Sequence, residues 1–302
     1  MSKDQNPEKP FGDQWYPSRF GANDEIGALN FLNPGKILEA ISLVRQGSTY
    51  SLAIPTGPET PAYPPRNFQM NIVSPGQYGG STWGTNKAGG IDEFFTVWPG
   101  MGTHFDGLGH IAIDHRFYNG TPADEVYNHT GVLKFGTETI PPIVTRGVFL
   151  DIAALRGAQM MEPGDVITPA DIEEAMERQN VKIGSGDVVM LRTGWITTME
   201  SAPEKFIGPV PGLGKAAAQY LSDAEVVIIG VDQYSTEVMP AEDSDEFIPV
   251  HQLDLAVNGV YHLQNVMLEE LARDNVNEFM FVLGLPKFVG ATQMTANPIA
   301  IC

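Results

Sequence analysis

Two patterns of hydrophobic and polar positions recur along the chain, and together they predict its helices and strands. Apolar residues three or four positions apart indicate helices. They predict helices over 37–44, after Thr168, over 215–221 and over 265–274. Short apolar runs bounded by glycine, proline or polar residues indicate buried strands. Such runs predict strands over 50–54, 147–152, 187–192, 225–231, 259–263 and 279–285.

The order of these elements indicates the fold class, because strands and helices that alternate along a chain are typical of α/β architectures. We expect a single α/β domain over residues 23–302, with a mixed β-sheet or barrel-like core and surrounding helices. A polar N-terminal arm over residues 1–22 should precede it. Thr168 and Asp171 have the spacing of a helix capping box, whereas Pro34-Gly35 is expected to break a helical run.

The segment from Gly57 to Gly102 is rich in proline and glycine, so we expect little regular structure in it. Two interpretations of its aromatic residues remain open. They could line an apolar pocket, with residues 76–98 as a lid over a flat substrate, because long loops in compact domains are usually functional. They could equally form an irregular covering of the core. The aromatic residues concerned include Trp83, Phe94, Phe95 and Trp98.

The charge balance narrows the possible partners. Lys and Arg number 18 against 37 Asp and Glu, a formal net charge of −19, and phosphate binding needs clustered cations, so a nucleic-acid partner is not expected. The single cysteine, Cys302, excludes a disulfide framework or a thiolate zinc cluster. No stretch approaches 18 consecutive apolar residues, and the N-terminus has no apolar export segment. The sequence therefore predicts no membrane span and a cytoplasmic protein.

Candidate chemistry concentrates in two clusters of histidine. Three of the six histidines lie within residues 104–115, and two more lie within residues 251–262. In an extended segment alternate side chains share a face, so His104, Asp106 and His110 would project together. Imidazole and carboxylate groups on one face suit a divalent ion such as Zn or Mn. The structural alternative has one histidine satisfied in the core and Asp106 capping a turn.

The stretch Gly102-Thr103-His104-Phe105-Asp106-Gly107-Leu108-Gly109-His110 resembles the signature of the cyclase family, which includes bacterial kynurenine formamidases and isatin hydrolases. The family motif reads His-x-Gly-Thr-His-x-Asp-x-Pro-x-His. The match covers Gly102, Thr103, His104, Asp106 and His110 in identity and spacing. The resemblance implies that His104, Asp106, His251 and Gln264 hold a divalent ion. It also implies that His110 is the acid/base group beside that ion, a role that suits imidazole because it titrates near neutrality.

The chain departs from the family pattern at three positions. The first motif histidine falls at Gly100, the motif proline at Leu108, and a glutamate found in many members at Gln264. Loss of a ligand and of a negative charge predicts at most one ion, Mn or Zn. His262 could replace the missing ligand, because it shares a face with Gln264 on a regular strand; alternatively, it is a histidine at a strand edge.

The function implied by the resemblance is that of a metal-dependent hydrolase. A metal-activated water would open an amide, lactam or lactone bond of a small substrate, and Trp83, Phe94 and Trp98 would favour an aromatic one. Members of the family are commonly dimers or larger, so we expect a homo-oligomer. Two other classes remain open. One is a metal-independent lyase, dehydratase or cyclase that uses His104 and His110, and the other is a non-catalytic small-molecule binder.

Three further polar residues have no chemistry assigned by the motif. His115 and His129 are expected at the surface or in loops. Asp232 follows the predicted strand 225–231, at a position where the sites of α/β proteins often gather, but it could equally cap a turn.

Overall fold

A computed structural model gives the structure of the protein over residues 15–73 and 80–302. Its strands are β1 Thr49–Ser51, β2 Phe68–Val73, β3 Asp92–Val97, β4 His104–Asp106, β5 Arg116–Phe117, β6 Thr121–Pro122, β7 Tyr127–Asn128, β8 Gly131–Val132, β9 Ile143–Asp151, β10 Val166–Ile167, β11 Val188–Arg192, β12 Gly212–Leu213, β13 Ile228–Val231, β14 Tyr261–Gln264, β15 Glu278–Leu283, β16 Gln293–Thr295 and β17 Ile299–Ile301. Its α-helices are α1 Pro34–Ile41, α2 Ala123–Val126, α3 Ile152–Leu155, α4 Pro169–Gln179, α5 Thr198–Ser201, α6 Pro203–Phe206, α7 Lys215–Asp223, α8 Pro249–His251 and α9 Glu269–Asp274. A π-helix, Gln252–Asn258, continues α8.

Nine of the strands form one mixed sheet that curls into a half barrel. Their order is β1-β17-β15-β9-β11-β13-β14-β4-β16. The strands β9, β11, β13 and β14 are parallel neighbours, whereas β4 lies antiparallel between β14 and β16. Helices α1 and α4 pack against β9. The predicted α/β fold with a mixed sheet or barrel-like core and surrounding helices is confirmed.

The central strands of the sheet are buried along their whole length. Every residue of β11, β13 and β14 is buried, as expected for parallel strands covered on both faces. Two residues of β14, His262 and Gln264, are polar. Buried polar side chains need hydrogen-bond or metal partners, so they direct attention to this end of the sheet.

Helix starts show how local chemistry sets the boundaries. The predicted capping box at α4 is present, since Thr168 and Asp171 each accept a hydrogen bond from the other's backbone N–H. The break predicted at Pro34-Gly35 is confirmed, because the preceding run ends in a 3₁₀-helix, Gly27–Phe31. The predicted start of the next helix at residue 37 is wrong, since α1 begins at Pro34. Proline is favoured in the first turn of a helix, where its missing N–H costs nothing, and Asn33 caps α1 by accepting bonds from Gly35 and Lys36.

The expectation of irregular structure over 57–102 is also wrong in part. Strands β2 and β3 pair as an antiparallel hairpin, with Met70 opposite Phe95 and Ile72 opposite Glu93. The alternation of apolar and polar residues in β2 is a strand signal that the surrounding prolines and glycines obscured. Residues 74–79, part of the predicted lid, and residues 1–14 of the predicted arm lie outside the described residues. Among the described helices, none combines the length and hydropathy needed to cross a membrane.

Candidate metal centre

Three adjacent strands bring polar side chains to one face of the sheet. In the antiparallel registers, Asp106 on β4 lies opposite His262 on β14 and Gln293 on β16, and His104 lies opposite Gln264. Directly opposite residues point to the same face of a sheet. The three strands therefore gather these five side chains at one place, although His104 and Gln293 are 189 residues apart in the chain.

The turn before β4 fixes the orientation of His104. Its Nδ1 lies 2.9 Å from the carbonyl oxygen of Gly102, and Asn265 donates to the same oxygen at 2.8 Å. Gly102 has a φ of +58° and sits against the Thr56 side chain, so only glycine suits this position. The other ring nitrogen of His104, Nε2, is buried and has no hydrogen-bond partner among the described residues.

His251 reaches the same place from α8. Its Nδ1 makes a short hydrogen bond to Glu237, a buried carboxylate that also accepts the backbone N–H groups of Val250 and His251. Its Nε2 lies 3.6 Å from Asp106 Oδ2 and 2.9 Å from the amide nitrogen of Gln264. Glu237 therefore fixes the imidazole at its Nδ1 edge, and Nε2 points towards Asp106.

His262 repeats this arrangement with a different carboxylate. Its Nε2 lies 2.9 Å from Oδ2 of Asp254, which the π-helix supplies, and its Nδ1 is buried without a hydrogen-bond partner among the described residues. The alternative that placed His262 at a strand edge is wrong, because β14 lies inside the sheet between β13 and β4.

The ligand atoms of Asp106, His251 and His262 all lie within 4.8 Å of one another, and all three residues are buried. Asp106 Oδ2, like His262 Nδ1, is a buried polar atom without a hydrogen bond in the described part of the chain. An imidazole that ligates a metal usually has its other nitrogen held by a carboxylate or carbonyl, and both histidines satisfy this condition. The donor set fits one divalent ion.

The four predicted ligands therefore lie together, and His262 joins them. His104, Asp106, His251 and Gln264 all lie at the site, and His104 Nε2 is 3.6 Å from Asp106 Oδ1. His262, which the sequence left open, belongs to the compact group of three. Gln264 meets His251 and Thr236 through its amide nitrogen, so ligation through its oxygen stays a prediction.

Charge in the site is carried by buried acids beside imidazoles. Burial acts to raise the pKa of Asp106, but the neighbouring histidines, His110 foremost, hold it well below the usual range. Burial likewise acts to lower the pKa of His251, yet Glu237 and Asp106 raise it to about 10. Without an ion, His251 therefore carries a proton, whose single charge offsets one of the two carboxylates.

His110 differs from the other site histidines because it is half-buried and opens onto a cleft of about 740 Å³. Its ring centroid lies 6.3 Å from that of His251. Burial, partly offset by Asp106, lowers the pKa of His110 to about 4. The imidazole is therefore neutral at pH 7, and the expectation that it titrates near neutrality is not met without a metal ion. The cleft is lined partly by aromatic and apolar side chains, including Phe117, Tyr127, Phe247 and Ile248.

The residues predicted to bind substrate lie on or near the hairpin. Phe94 and Phe95 belong to β3, Trp98 follows it, and Trp83 lies between β2 and β3. Their side chains are about half exposed, and other residues line the cleft beside His110. A role for Trp83, Phe94 and Trp98 in substrate binding stays a prediction.

Several polar residues of the site gave no signal in the sequence. Glu237 and Asp254 lie outside any local motif, and only folding places them beside histidines.

The turn-capping alternative accounts for Asp232, which accepts hydrogen bonds from Thr193 and Gly194 at 2.5–2.9 Å. His115 and His129 are exposed, as expected, and His115 also borders the cleft.

The fold and the site together define an α/β protein with a buried histidine and carboxylate centre suited to a divalent ion. The family model described as "Putative cyclase" matches residues 50–238, and the chain belongs to this cyclase family.

Solved structures of similar fold agree with this membership. A crystal structure described as a novel cyclase has a TM-score of 0.85 at 28% identity, over 94% of this chain and 98% of that chain. An isatin hydrolase bound to the product analogue thioisatinate has a TM-score of 0.64 at 18% identity, over 89% and 98%. Isatin hydrolase A from Ralstonia solanacearum has a TM-score of 0.65 at 20% identity, over 84% and 91%. No curated protein matches the chain.

Proposed function

We propose that the protein is a metal-dependent hydrolase that opens an amide, lactam or lactone bond of a small aromatic substrate. The observation that carries the proposal is the convergence of Asp106, His251 and His262 within 4.8 Å, with the second nitrogen of each histidine anchored by a carboxylate. A carboxylate that binds one ring nitrogen of a histidine fixes the ring so that the other nitrogen can ligate a metal.

Asp106, His251 and His262 would hold the ion, with His104 and Gln264 as further candidate ligands. Nitrogen and oxygen ligands without thiolate suit Mn or Zn. When bound, a divalent ion supplies a Lewis acid that polarises a carbonyl oxygen and lowers the pKa of water.

His110 would perform the proton transfers. Neutral in the folded protein, it can accept a proton from the attacking water. The protonated imidazole can then return that proton to the nitrogen or oxygen that leaves the carbonyl carbon. Its position at the wall of the cleft, with its ring centroid 6.3 Å from that of His251, supports this role.

The substrate class is supported by the chemistry of the cleft and by the fold relatives. Phe117, Tyr127 and Phe247 line the cleft, and aromatic side chains favour a flat molecule. Two of the similar structures described above are isatin hydrolases, named for a bicyclic lactam.

A panel assay tests the proposal. Tag-free protein should hydrolyse at least one member of a set of aromatic lactams and lactones that includes isatin and dihydrocoumarin. Chelation should abolish turnover, and Mn or Zn should restore it. Full hydrolysis after exhaustive demetallation would overturn the dependence on metal. No hydrolysis of any member with metal bound would favour the lyase, dehydratase or cyclase alternative or the non-catalytic binder.

A further inference from the structure

Arg66 occupies the space where the family signature has its first histidine. Gly100 stands at that motif position, and a Cβ built on it would lie 2.7 Å from Arg66 Cζ and 3.1 Å from Gln293 Nε2. Arg66 Nη1 donates a hydrogen bond of 2.7 Å to the carbonyl oxygen of Gly100. The guanidinium therefore takes the volume that a histidine side chain would need, and a permanent cation stands in place of a neutral ligand.

This cation is coupled to the candidate metal centre. Gln293, whose amide nitrogen also lies near the Gly100 position, donates a hydrogen bond of 2.6 Å to Asp106 Oδ1. After burial, which is the largest cause, the charge of Arg66 contributes to the lowered pKa of both His104 and His110. The guanidinium thus lies within electrostatic reach of a candidate ligand and of the proton carrier.

Most of the hydrogen-bonding capacity of Arg66 is unused. A guanidinium has five N–H donors, and within residues 15–73 and 80–302 its hydrogen-bond acceptor is the Gly100 carbonyl. The ion pairs in this part of the chain do not include Arg66. The side chain is half-buried, so an anion that reaches it would meet a partly desolvated cation.

We propose that Arg66 binds a carboxylate of the substrate, held close to the carbonyl group that hydrolysis attacks. Arginine suits this role because its planar fork can donate two parallel hydrogen bonds to a carboxylate. The net charge of −19 repels polyanions at long range, so the favoured substrate is a monocarboxylate. The inference rests on the proposed function and makes it specific for monocarboxylates.

Equilibrium binding of matched carboxylate and amide probes tests this role. Acetate against acetamide, and benzoate against benzamide, are titrated into tag-free wild-type protein, Arg66→Met, Arg66→Lys and the control Arg45→Met. Arg45 is an exposed arginine outside the site. The wild type and Arg45→Met should bind at least one carboxylate tenfold or more tightly than its amide. Arg66→Met should reduce this preference to twofold or less with unchanged amide affinity, and Arg66→Lys should retain part of it.

The titrations are repeated on zinc-loaded and demetallated protein, because a carboxylate can also bind a metal. Loss of the preference on Arg66→Met in both forms supports the proposal. A preference that survives Arg66→Met, or no preference in the wild type, overturns it. For this test the lactam and lactone panel is extended with members that carry one carboxylate. Arg66-dependent binding without turnover in the extended panel would remove the hydrolase, whereas turnover with binding indifferent to Arg66 would remove the carboxylate site.

Discussion

His110 and His251 lie in ring contact, yet their removal should have different consequences. His251→Ala removes a nitrogen directed at Asp106, so metal occupancy should fall at least tenfold. His110→Ala should leave occupancy close to normal and lower turnover about a hundredfold, the usual weight of a general acid/base. His104→Ala should also lower occupancy, and His129→Ala, which alters an exposed histidine, serves as control. Equal metal loss in the His110 and His251 variants would make His110 a ligand.

Metal binding should release a proton from His251. The pKa of about 10 that Glu237 and Asp106 maintain against burial means that His251 is protonated at pH 7 without metal, whereas a ligand must be neutral. Metal affinity should therefore fall as pH falls, about tenfold per unit for each proton displaced. Calorimetry in two buffers of different ionisation enthalpy measures that proton. A binding heat independent of buffer would contradict the assignment.

The sequence predicted the residues of the site that share one short motif. His104 and Asp106 alternate along β4 and share a face, as predicted. The prediction that the extended segment continues to His110 is wrong, because a turn follows β4 and the His110 N–H donates to the carbonyl oxygen of Gly107. Glu237, Asp254 and Arg66 could not be found in this way. Each meets its histidine or glycine only because the sheet, the π-helix and the base of the hairpin bring distant segments together.

At the scale of elements, Gly102 lies in the turn before β4. Of the glycines near the site, it should be the one whose substitution most reduces the free energy of unfolding. Gly102 and Gly157 both have positive φ, but a Cβ at Gly102 would meet Thr56, whereas the space around Gly157 is open. Gly157→Ala should cost about 1–2 kcal/mol of folding free energy through backbone strain alone. Gly102→Ala should cost more, and it should lower metal occupancy because the Gly102 carbonyl orients His104.

Denaturant unfolding and metal analysis of both variants measure these effects. Equal destabilisation of the two variants, with normal metal content in Gly102→Ala, would show that the turn has no role in holding the site.

Elements were predictable where local signals were strong. The α4 helix was identified from its cap, and β11 and β13 from their apolar runs. The hairpin of β2 and β3 was missed because the prolines and glycines around it obscured the alternation of apolar and polar residues in β2.

At the scale of the whole molecule, that hairpin leads us to expect a homo-oligomer. By register, one face of the hairpin carries five apolar residues and one charged residue, namely Phe68, Met70, Ile72, Phe95, Val97 and Glu93. Met70, Ile72 and Phe95 are 49–60% exposed. A two-stranded hairpin is marginally stable alone, and an apolar face of this kind is typical of interaction surfaces. We expect a second copy of the chain to cover it.

Light scattering after size exclusion should show a dimer or larger species for the wild type. The double variant Met70→Ser/Phe95→Ser should shift it towards the monomer, whereas Gln69→Ser, on the opposite face of the same strand, should not. A monomeric wild type at micromolar concentration would contradict this expectation.

The central claim is that Asp106, His251 and His262 form one divalent metal site, and metal stoichiometry tests it most directly. Tag-free protein, loaded with Zn or Mn and dialysed, is analysed by plasma mass spectrometry beside the variant Asp106→Asn. We predict one equivalent of metal per chain in the wild type and less than a tenth of an equivalent in the variant. Two equivalents, none, or equal content in both proteins would contradict the account.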